Sequence, residues 1–359
     1  MNLLQLCPRL PPAIDGMGDY AFMLANGLRQ HDIYTHFMTF KQGNEAVGDF
    51  PIRDLPTDSP QAFVDDIPSE IQAVLLHYSD YPYDPQFGAP FWLVKALEAL
   101  QRQRSIPLLI VFHEFPSFYL WKKTFYRFPW QQQVAWKLAT LADRAVTNNA
   151  VTKTLLSKRL QQLILNLPVF SNIGELNNPT PLAQRRKRLV VFGTAGRRAR
   201  IYQRSQPMLI NSCQLLGIEE ICDVGPSLAL DQSAIGGISL VQKGEQSAAA
   251  ISQLLADSLA GIVYSTDNGR LAKSGVFATY CAHGLVPIVT QEQSPVMDGL
   301  QAHTHFLFGG LQAQALSMER LQAIALDAHQ WYNQHNQTNT VKAFASELTQ
   351  LITSKLLID

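Results

Sequence analysis

The sequence carries no excess of charge of either sign. Lysine and arginine together number 29, as do aspartate and glutamate, so the formal net charge is +0. A protein that binds nucleic acid generally has a basic surplus, because lysine and arginine neutralise the phosphates. The composition therefore predicts no nucleic-acid partner, although short basic runs occur at 185–188 and 196–200.

Cysteine and long apolar runs are also scarce. Four cysteines lie far apart with no CxxC pair, which predicts buried free thiols and a reducing compartment. No stretch approaches ~18 consecutive apolar residues, and the apolar N-terminal run is too short for a signal peptide. We therefore expect a cytoplasmic protein without a membrane span.

Common catalytic motifs are missing as well. The sequence contains no HExxH, DxD, GxSxG or Walker A pattern. These absences predict that the protein uses neither a bound metal nor a resident cofactor. They also exclude the usual serine-hydrolase and P-loop readings.

What the sequence does contain is a regular alternation of apolar strands and amphipathic helices. Strands are predicted at, for example, 2–6, 73–77 and 108–112, and again at 189–192, 221–224 and 286–289. The segment 172–188 is rich in asparagine, proline and charge, which is typical of a boundary. The pattern predicts an α/β protein of two Rossmann-like domains, 1–178 and 179–359, each with a parallel sheet covered by helices.

Three loops between a strand and a helix, or at a helix start, could hold a phosphate. Small residues at a helix start let an anion approach the free N–H groups, and arginine or lysine adds charge. The alternative readings are an ordinary flexible turn, a solvated basic turn and a lysine that projects into water. The candidate ligands of a phosphate are Gly16, Gly18, Gly196, Arg197, Arg198, Arg204, Lys273, Ser274 and Gly275.

His113 and Glu114 follow the predicted strand 108–112, at the edge where parallel sheets bind ligands. A histidine there could donate to a sugar hydroxyl or transfer a proton. The alternative is a histidine satisfied by nearby backbone. His77, which closes the strand 73–77, is a weaker candidate on the same grounds.

The segment 118–136 combines aromatic residues with Lys122, Lys123 and Arg127. Such a composition suits a peripheral contact with a membrane or a lipid-linked acceptor. It equally suits an ordinary loop with packed aromatic side chains.

Taken together, these segments resemble the GT-B glycosyltransferases, in particular the large retaining family 4. The resemblance rests on four stretches: PPAIDGMG at 11–18, VFHE at 111–114, FGTAGR at 192–197 and FATYCAHGLVPIV at 277–289. It implies two Rossmann-like domains facing each other across a cleft. It also implies that Gly16, Gly18 and Arg197 lie near the donor diphosphate, and that His113 lies near the transferred sugar.

The resemblance further implies a hexosyl- or related glycosyltransferase that works without a metal and retains the anomeric configuration. The donor would be a nucleotide-diphosphate sugar and the acceptor a carbohydrate or a lipid-linked molecule. Two glutamates of the family, separated by seven residues, fall here on Leu271 and Thr279, and Arg204 stands nearest to a usual lysine. Thr279 is kept among the donor-binding candidates. Two alternatives follow from this departure: a catalytically inactive binding or scaffold protein, or a sugar-nucleotide epimerase of the same fold.

Overall fold

The computed structural model describes residues 1–13, 15–41, 46–116, 125–230, 234–265, 270–290, 296–309 and 316–356. The chain divides into two compact units. Unit 1 comprises Met1–Pro168 and Gln337–Asp359, and unit 2 comprises Val169–Asn336. Each unit has a mainly parallel sheet with helices, so the predicted α/β class with two Rossmann-like domains is confirmed.

Unit 1 contains a sheet whose strands run in the order β3-β4-β2-β1-β5-β6-β7-β8 within the described residues. All of its pairings are parallel except that between β3 and β4. The strands are β1 (Asn2–Leu6), β2 (Tyr34–Thr39), β3 (Ala46–Val47), β4 (Phe50–Asp54), β5 (Ala73–Tyr78), β6 (Leu108–Phe112), β7 (Arg144–Thr147) and β8 (Ile164–Asn166). The helices are α1 (Gly16–Leu28), α2 (Pro60–Asp65), α3 (Asp80–Tyr83), α4 (Phe91–Arg104), α5 (Phe128–Leu141), α6 (Ala150–Ser157) and the C-terminal α12 (Gln337–Leu356).

Unit 2 repeats the arrangement with the strand order β11-β12-β10-β9-β13-β14-β15 within the described residues. Its pairings are parallel except that between β11 and β12. The strands are β9 (Arg186–Phe192), β10 (Glu220–Val224), β11 (Ala234–Ile235), β12 (Ile238–Gly244), β13 (Ser258–Val263), β14 (Val286–Val289) and β15 (Leu307–Phe308). The helices are α7 (Ala195–Arg204), α8 (Gln206–Leu216), α9 (Ala248–Ala256), α10 (Gly275–Ala282) and α11 (Met318–Asn333).

The central strands are buried on both faces because helices cover the sheets. β5 and β13 have no exposed position, and β6 reads as five consecutive apolar residues. The four cysteines are free and buried, as predicted. Because the strands are parallel, their carboxyl ends meet at one edge of each sheet, where the candidate loops lie.

The division of the chain differs from the predicted one at the C-terminus. The segment 337–356 was assigned to the second domain, yet α12 packs against α1 within unit 1. Gly27 makes this close approach possible, since a Cβ there would lie 2.4 Å from a side-chain carbon of Val341. Arg144 also pairs with Glu347 of α12 at 3.3 Å. The change from unit 1 to unit 2 follows Pro168, ahead of the proline-rich segment that predicted it.

Candidate functional site

In unit 2 the loop after β9 turns sharply into α7. Gly193 has φ +125, a backbone conformation that side chains with a Cβ rarely adopt. Gly196 and Arg197 are exposed at the start of α7, and a Cβ on Gly196 would meet nothing within 4 Å. Arg197 donates to the carbonyl of Tyr264, the residue after β13, at 3.3 Å. The loop therefore presents a glycine, a guanidinium and a helix start at the carboxyl edge of the sheet.

Arg198 has a different environment from its neighbour Arg197, although both were predicted to bind phosphate. Its side chain is fully buried and forms an ion pair with Asp223. Its Nε donates to the carbonyl of Gly193 at 2.9 Å, and its guanidinium also donates to the carbonyl of Pro226. With these partners inside the protein, Arg198 braces the loop and is not placed to contact a ligand.

Asp223 completes this buried group. It accepts a hydrogen bond from the Tyr202 hydroxyl at 2.8 Å, besides its pair with Arg198. Burial raises the pKa of Asp223, and the hydrogen bonds from Tyr202 and Arg198 oppose that shift. The sequence signal was an acidic residue inside the apolar strand β10, which indicates an internal partner.

Arg204 does not join the start of α7. It is exposed in the last turn of the helix, seven positions after Arg197. At 1.5 Å per residue this separation is roughly 10 Å along the helix axis. A phosphate at the first turn is therefore out of its reach by position along the helix.

The start of α10 forms the second part of the unit 2 rim. Ser274 is the N-cap, and its side chain accepts from the Phe277 N–H at 3.3 Å. Gly275 opens the helix, and a Cβ there would again meet nothing within 4 Å. Lys273, in the short 3-10 turn just before, is half-buried. The Ser274 hydroxyl thus serves the helix cap, and open space remains in front of Gly275.

The two helix starts are held next to each other. A Cβ on Gly193 would lie 3.1 Å from the side chain of Val276, so the β9–α7 loop touches the first turn of α10. Tyr280 fixes α10 against the sheet by donating to the Val190 carbonyl at 3.1 Å and accepting from the Phe192 N–H at 3.2 Å. The N-termini of α7 and α10 are thereby gathered at one edge of unit 2.

Thr279 lies away from this edge. It is buried in α10, and its hydroxyl is 3.1 Å from the hydroxyl of Ser171. Its carbonyl is 2.8 Å from Nδ1 of His283. Thr279 is therefore engaged in the interior, and Leu271 is buried too.

In unit 1 the predicted glycine loop forms the first turn of α1, and this turn is acidic. The Asp15 carboxylate caps the helix by accepting from the Met17 N–H at 3.0 Å, and Asp19 lies in the first turn. Burial and the charge of Asp15 raise the pKa of Asp19 to about 6. A carboxylate thus occupies the helix terminus that a diphosphate was predicted to contact, which disfavours a phosphate there.

Gly16 and Gly18, the two glycines of this turn, differ in their surroundings. A Cβ on Gly18 would lie 2.4 Å from the carbonyl oxygen of Arg9, so this glycine permits a close approach of two backbone segments. Gly16 is exposed, and a Cβ there would meet nothing within 4 Å. Packing accounts for Gly18 without a ligand.

His113 lies half-buried directly after β6, with Glu114 exposed beyond it. Its backbone N–H donates to the Tyr78 carbonyl at 2.9 Å, which continues the pairing of β6 with β5. Its Nε2 is 3.0 Å from Nδ1 of His77, and the ring of Tyr20 from α1 meets it edge-on. Burial lowers the pKa of His113 to about 4, so the ring is neutral near pH 7.

Within the basic and aromatic segment 118–136, the structure describes the residues from 125 onward. Lys122 and Lys123 lie outside the described residues. Tyr126 and Trp130 are exposed, and Arg127 lies over the ring of Tyr126 at 5.4 Å. In the described part of the chain, none of the helices is long and apolar enough to cross a membrane.

The sequence matches no protein-family model and no curated protein. Solved structures share its fold over almost the whole chain. The Anabaena protein HepE in complex with UDP matches with a TM-score of 0.64 and 13% identity, covering 98% of this chain and 100% of that one. An alpha-glucosyltransferase in complex with UDP-glucose and DNA containing an abasic site matches with a TM-score of 0.60 and 9% identity, covering 98% and 99%. The putative UDP-N-acetylglucosamine 2-epimerase from Listeria monocytogenes matches with a TM-score of 0.58 and 15% identity, covering 100% and 97%.

One of these structures corrects the prediction about nucleic acid. The absence of a basic surplus led us to expect no nucleic-acid partner, and that expectation is wrong. A glucosyltransferase of the same fold is solved with DNA bound. An overall charge balance does not prevent a local surface from contacting phosphates, which explains why the composition misled.

The two Rossmann-like units and the structural matches over the full length of the chain indicate the same fold. This chain has the fold of the GT-B glycosyltransferases, as its sequence predicted.

Proposed function

We propose that the protein is a glycosyltransferase that moves a sugar from a nucleotide-diphosphate donor to an acceptor. The observation that carries this proposal is the rim of unit 2, where the β9–α7 loop and the start of α10 touch at Gly193 and Val276. Helix N-termini carry partial positive charge and unpaired N–H groups, which suit a diphosphate. The full-length likeness to an alpha-glucosyltransferase in complex with UDP-glucose and to HepE in complex with UDP supports the same reading.

Bond breaking leaves negative charge on the departing diphosphate. In this proposal Arg197 and Lys273 supply fixed positive charge, and the helix starts at Gly196 and Gly275 supply N–H donors. Open space in front of both glycines is what a close phosphate requires. These groups would make a metal unnecessary, and family 4 behaviour would retain the anomeric configuration.

From unit 1 we propose that His113 contacts the transferred sugar. It is neutral near pH 7, because burial lowers its pKa to about 4. A neutral imidazole suits a hydroxyl group better than a phosphate, which would prefer a cation. Glu114, exposed beside it, is the candidate for a contact with the acceptor.

Arg198, Arg204, Thr279 and Gly18 are not part of this proposed machinery. Arg198 and Thr279 are buried and bonded to other groups inside the protein. Arg204 lies two helical turns from the start of α7, and packing against Arg9 explains Gly18. The sugar and the acceptor are proposed only by class, as a hexose or related sugar and a carbohydrate or lipid-linked molecule. The aromatic residues Tyr126 and Trp130 would suit peripheral contact with a membrane that carries such an acceptor.

Isothermal titration with UDP, UDP-glucose and other nucleotide sugars tests the donor site. Arg197→Ala is expected to weaken UDP binding, whereas Arg204→Ala is the matched control, being an exposed arginine on the same helix. Equal affinity in parent and Arg197→Ala would remove the proposed site. Transfer is then measured against carbohydrate, lipid-linked and duplex DNA acceptors.

A second candidate function is a sugar-nucleotide epimerase. The specific observation is the likeness to the putative UDP-N-acetylglucosamine 2-epimerase from Listeria monocytogenes over 100% of this chain. An epimerase converts its nucleotide sugar without any acceptor, so product analysis by NMR of the donor alone separates the two activities. Tight UDP binding with no turnover of any donor would instead favour an inactive binding protein, in keeping with the uncharged Leu271 and Thr279.

A further inference from the structure

A row of polar side chains crosses the otherwise apolar centre of the unit 1 sheet. It runs through four neighbouring strands: Thr35 on β2, Gln5 on β1, His77 on β5 and His113 at the end of β6. The register places Gln5 beside Leu75, two residues before His77, so the side chains of Gln5 and His77 share one face. Thr35, Gln5 and His77 are buried, with exposed fractions of 3%, 0% and 0%.

Hydrogen bonds join these side chains into one chain. Gln5 Nε2 donates to Thr35 Oγ1 at 3.2 Å. Gln5 Oε1 lies 2.9 Å from His77 Nε2, and His77 Nδ1 lies 3.0 Å from His113 Nε2. The two imidazole rings stack with their centroids 5.3 Å apart, and Tyr20 packs edge-on against both. Burying polar side chains in a sheet is costly unless they are hydrogen-bonded, and the three buried members of this row, Thr35, Gln5 and His77, all are.

The direction of the bonds determines where the protons are. Gln5 presents its carbonyl oxygen to His77, so His77 Nε2 must carry a proton. Burial and the proximity of His113 lower the pKa of His77 well below its usual value, which keeps the ring neutral. Its Nδ1 is then an acceptor, and His113 Nε2 must donate to it. The remaining nitrogen of His113, Nδ1, is left with a lone pair and has no partner among the described residues.

We propose that His77 and Gln5 are positioning residues that hold His113 as the Nε2–H tautomer, so that its Nδ1 accepts a hydrogen bond from a sugar hydroxyl. This inference rests on the proposed glycosyltransferase function. It makes His113 a selector for a hydroxyl group at one position of the sugar. A donor whose sugar lacks that hydroxyl leaves the lone pair without a partner and is rejected.

The tautomer can be measured without any enzymatic activity. In protein labelled with ¹⁵N-histidine, long-range ¹H–¹⁵N correlation spectra distinguish the protonated from the bare ring nitrogen, and His113→Asn assigns the signals. We expect His113 to carry its proton on Nε2 in the parent protein. A proton on Nδ1 would overturn the proposal whatever the enzyme's activity proves to be.

Variants of His77 test the positioning role. His77→Leu removes the acceptor, and His113 is expected to become a mixture of tautomers. His77→Asn keeps an oxygen close to the place of Nδ1 and is expected to restore the parent tautomer. If His77→Leu does not fold, Gln5→Leu tests the same chain one bond further back. A parent-like His113 spectrum in either leucine variant would refute the proposal.

Steady-state kinetics of the same variants test whether the tautomer of His113 matters for sugar transfer. With UDP-glucose as the probe, His77→Leu should lower kcat by roughly ten- to a hundredfold, as expected for a misplaced catalytic group. His77→Asn should recover most of that loss. UDP affinity should stay unchanged in both His77 variants and in Gln5→Leu, since the proposed diphosphate ligands belong to unit 2. If no nucleotide sugar is turned over with any of the acceptors named above, the proposed function fails while the spectra still decide the tautomer. Equal loss of kcat in the Leu and Asn variants would overturn the positioning role.

Discussion

Replacing Arg197 and Arg198 one at a time by alanine is expected to give opposite outcomes, although the two residues are adjacent. Arg197 is exposed and makes one hydrogen bond to the Tyr264 carbonyl at 3.3 Å. Arg198 is fully buried and pairs with Asp223. We expect Arg197→Ala to reduce UDP affinity with little change in stability, and Arg198→Ala to reduce stability severely.

The magnitudes follow from burial. Removing one partner of a buried ion pair leaves an uncompensated charge and costs about 3–5 kcal/mol. For a unit of this size each kcal/mol lowers the melting temperature by about 2–4 °C, so Arg198→Ala should melt roughly 6–20 °C lower. Arg197→Ala should change the free energy of unfolding by less than about 0.5 kcal/mol. Losing a charged phosphate contact should cost about 1.5–3 kcal/mol, which is roughly ten- to a hundredfold in the dissociation constant for UDP.

Thermal melts in the absence of ligand and titration calorimetry with UDP measure the two effects separately. A double variant, Arg198→Met with Asp223→Asn, should be more stable than Arg198→Met alone, because asparagine removes the unpaired charge and still accepts from Tyr202. The reasoning fails if Arg198→Ala melts within about 2 °C of the parent, since a buried charge cannot be left unpaired so cheaply. It also fails if the double variant gains nothing over the single one.

Three further predictions concern unit 1 and the histidines. Because the native pKa of Asp19 is raised to about 6, its contribution to stability is complete below about pH 4 and is lost as the pH rises through 6. Asp19→Asn should therefore raise the free energy of unfolding by about 1 kcal/mol at pH 7, a value discounted for partial exposure. Urea denaturation measures this change. Gly18→Ala should lower the free energy of unfolding by about 1–3 kcal/mol, because its Cβ would meet a carbonyl oxygen at 2.4 Å. Gly16→Ala is the control and should be near neutral, because the space in front of Gly16 is open. Equal urea midpoints for the two variants would contradict this prediction. Burial lowers the pKa of His113 and of His335 to about 4, so the unfolded chain takes up protons before the native protein does as the pH is lowered. The free energy of unfolding should therefore fall by up to about 1.4 kcal/mol per pH unit for each residue as the pH is lowered from about 6.5 to about 4. A flat profile of unfolding free energy over that range would contradict the prediction.

The strand and helix pattern was predictable because periodicity is a local property of the sequence. In α11, for example, Leu321, Ile324, Ala325 and Ala328 recur at helical spacing, and all four are buried. The return of α12 to unit 1 was not predictable, since Gly27 reads as an ordinary glycine until Val341 is placed against it. Sequence adjacency cannot show which distant segment covers a helix.

The candidate site was predictable only as a set of loops. Strand ends and glycines located the β9–α7 loop and the start of α10, but they could not separate Arg197 from Arg198. That distinction depends on which side of α7 faces Asp223, a residue of a different strand. The polar row through Gln5 and His77 left a faint signal, namely polar residues inside two apolar strands. Only the register of β1 beside β5 makes that signal meaningful.

The return of α12 to unit 1 also bears on how the chain is made. Unit 1 is assembled from two segments that are separated in sequence by the whole of unit 2, which is itself continuous. During synthesis, unit 2 is complete before residues 337–356 emerge to cover α1. The later half of the protein is therefore able to finish folding while the earlier half still lacks the helix that packs on α1 at Gly27, which reverses the usual N-terminal-first order.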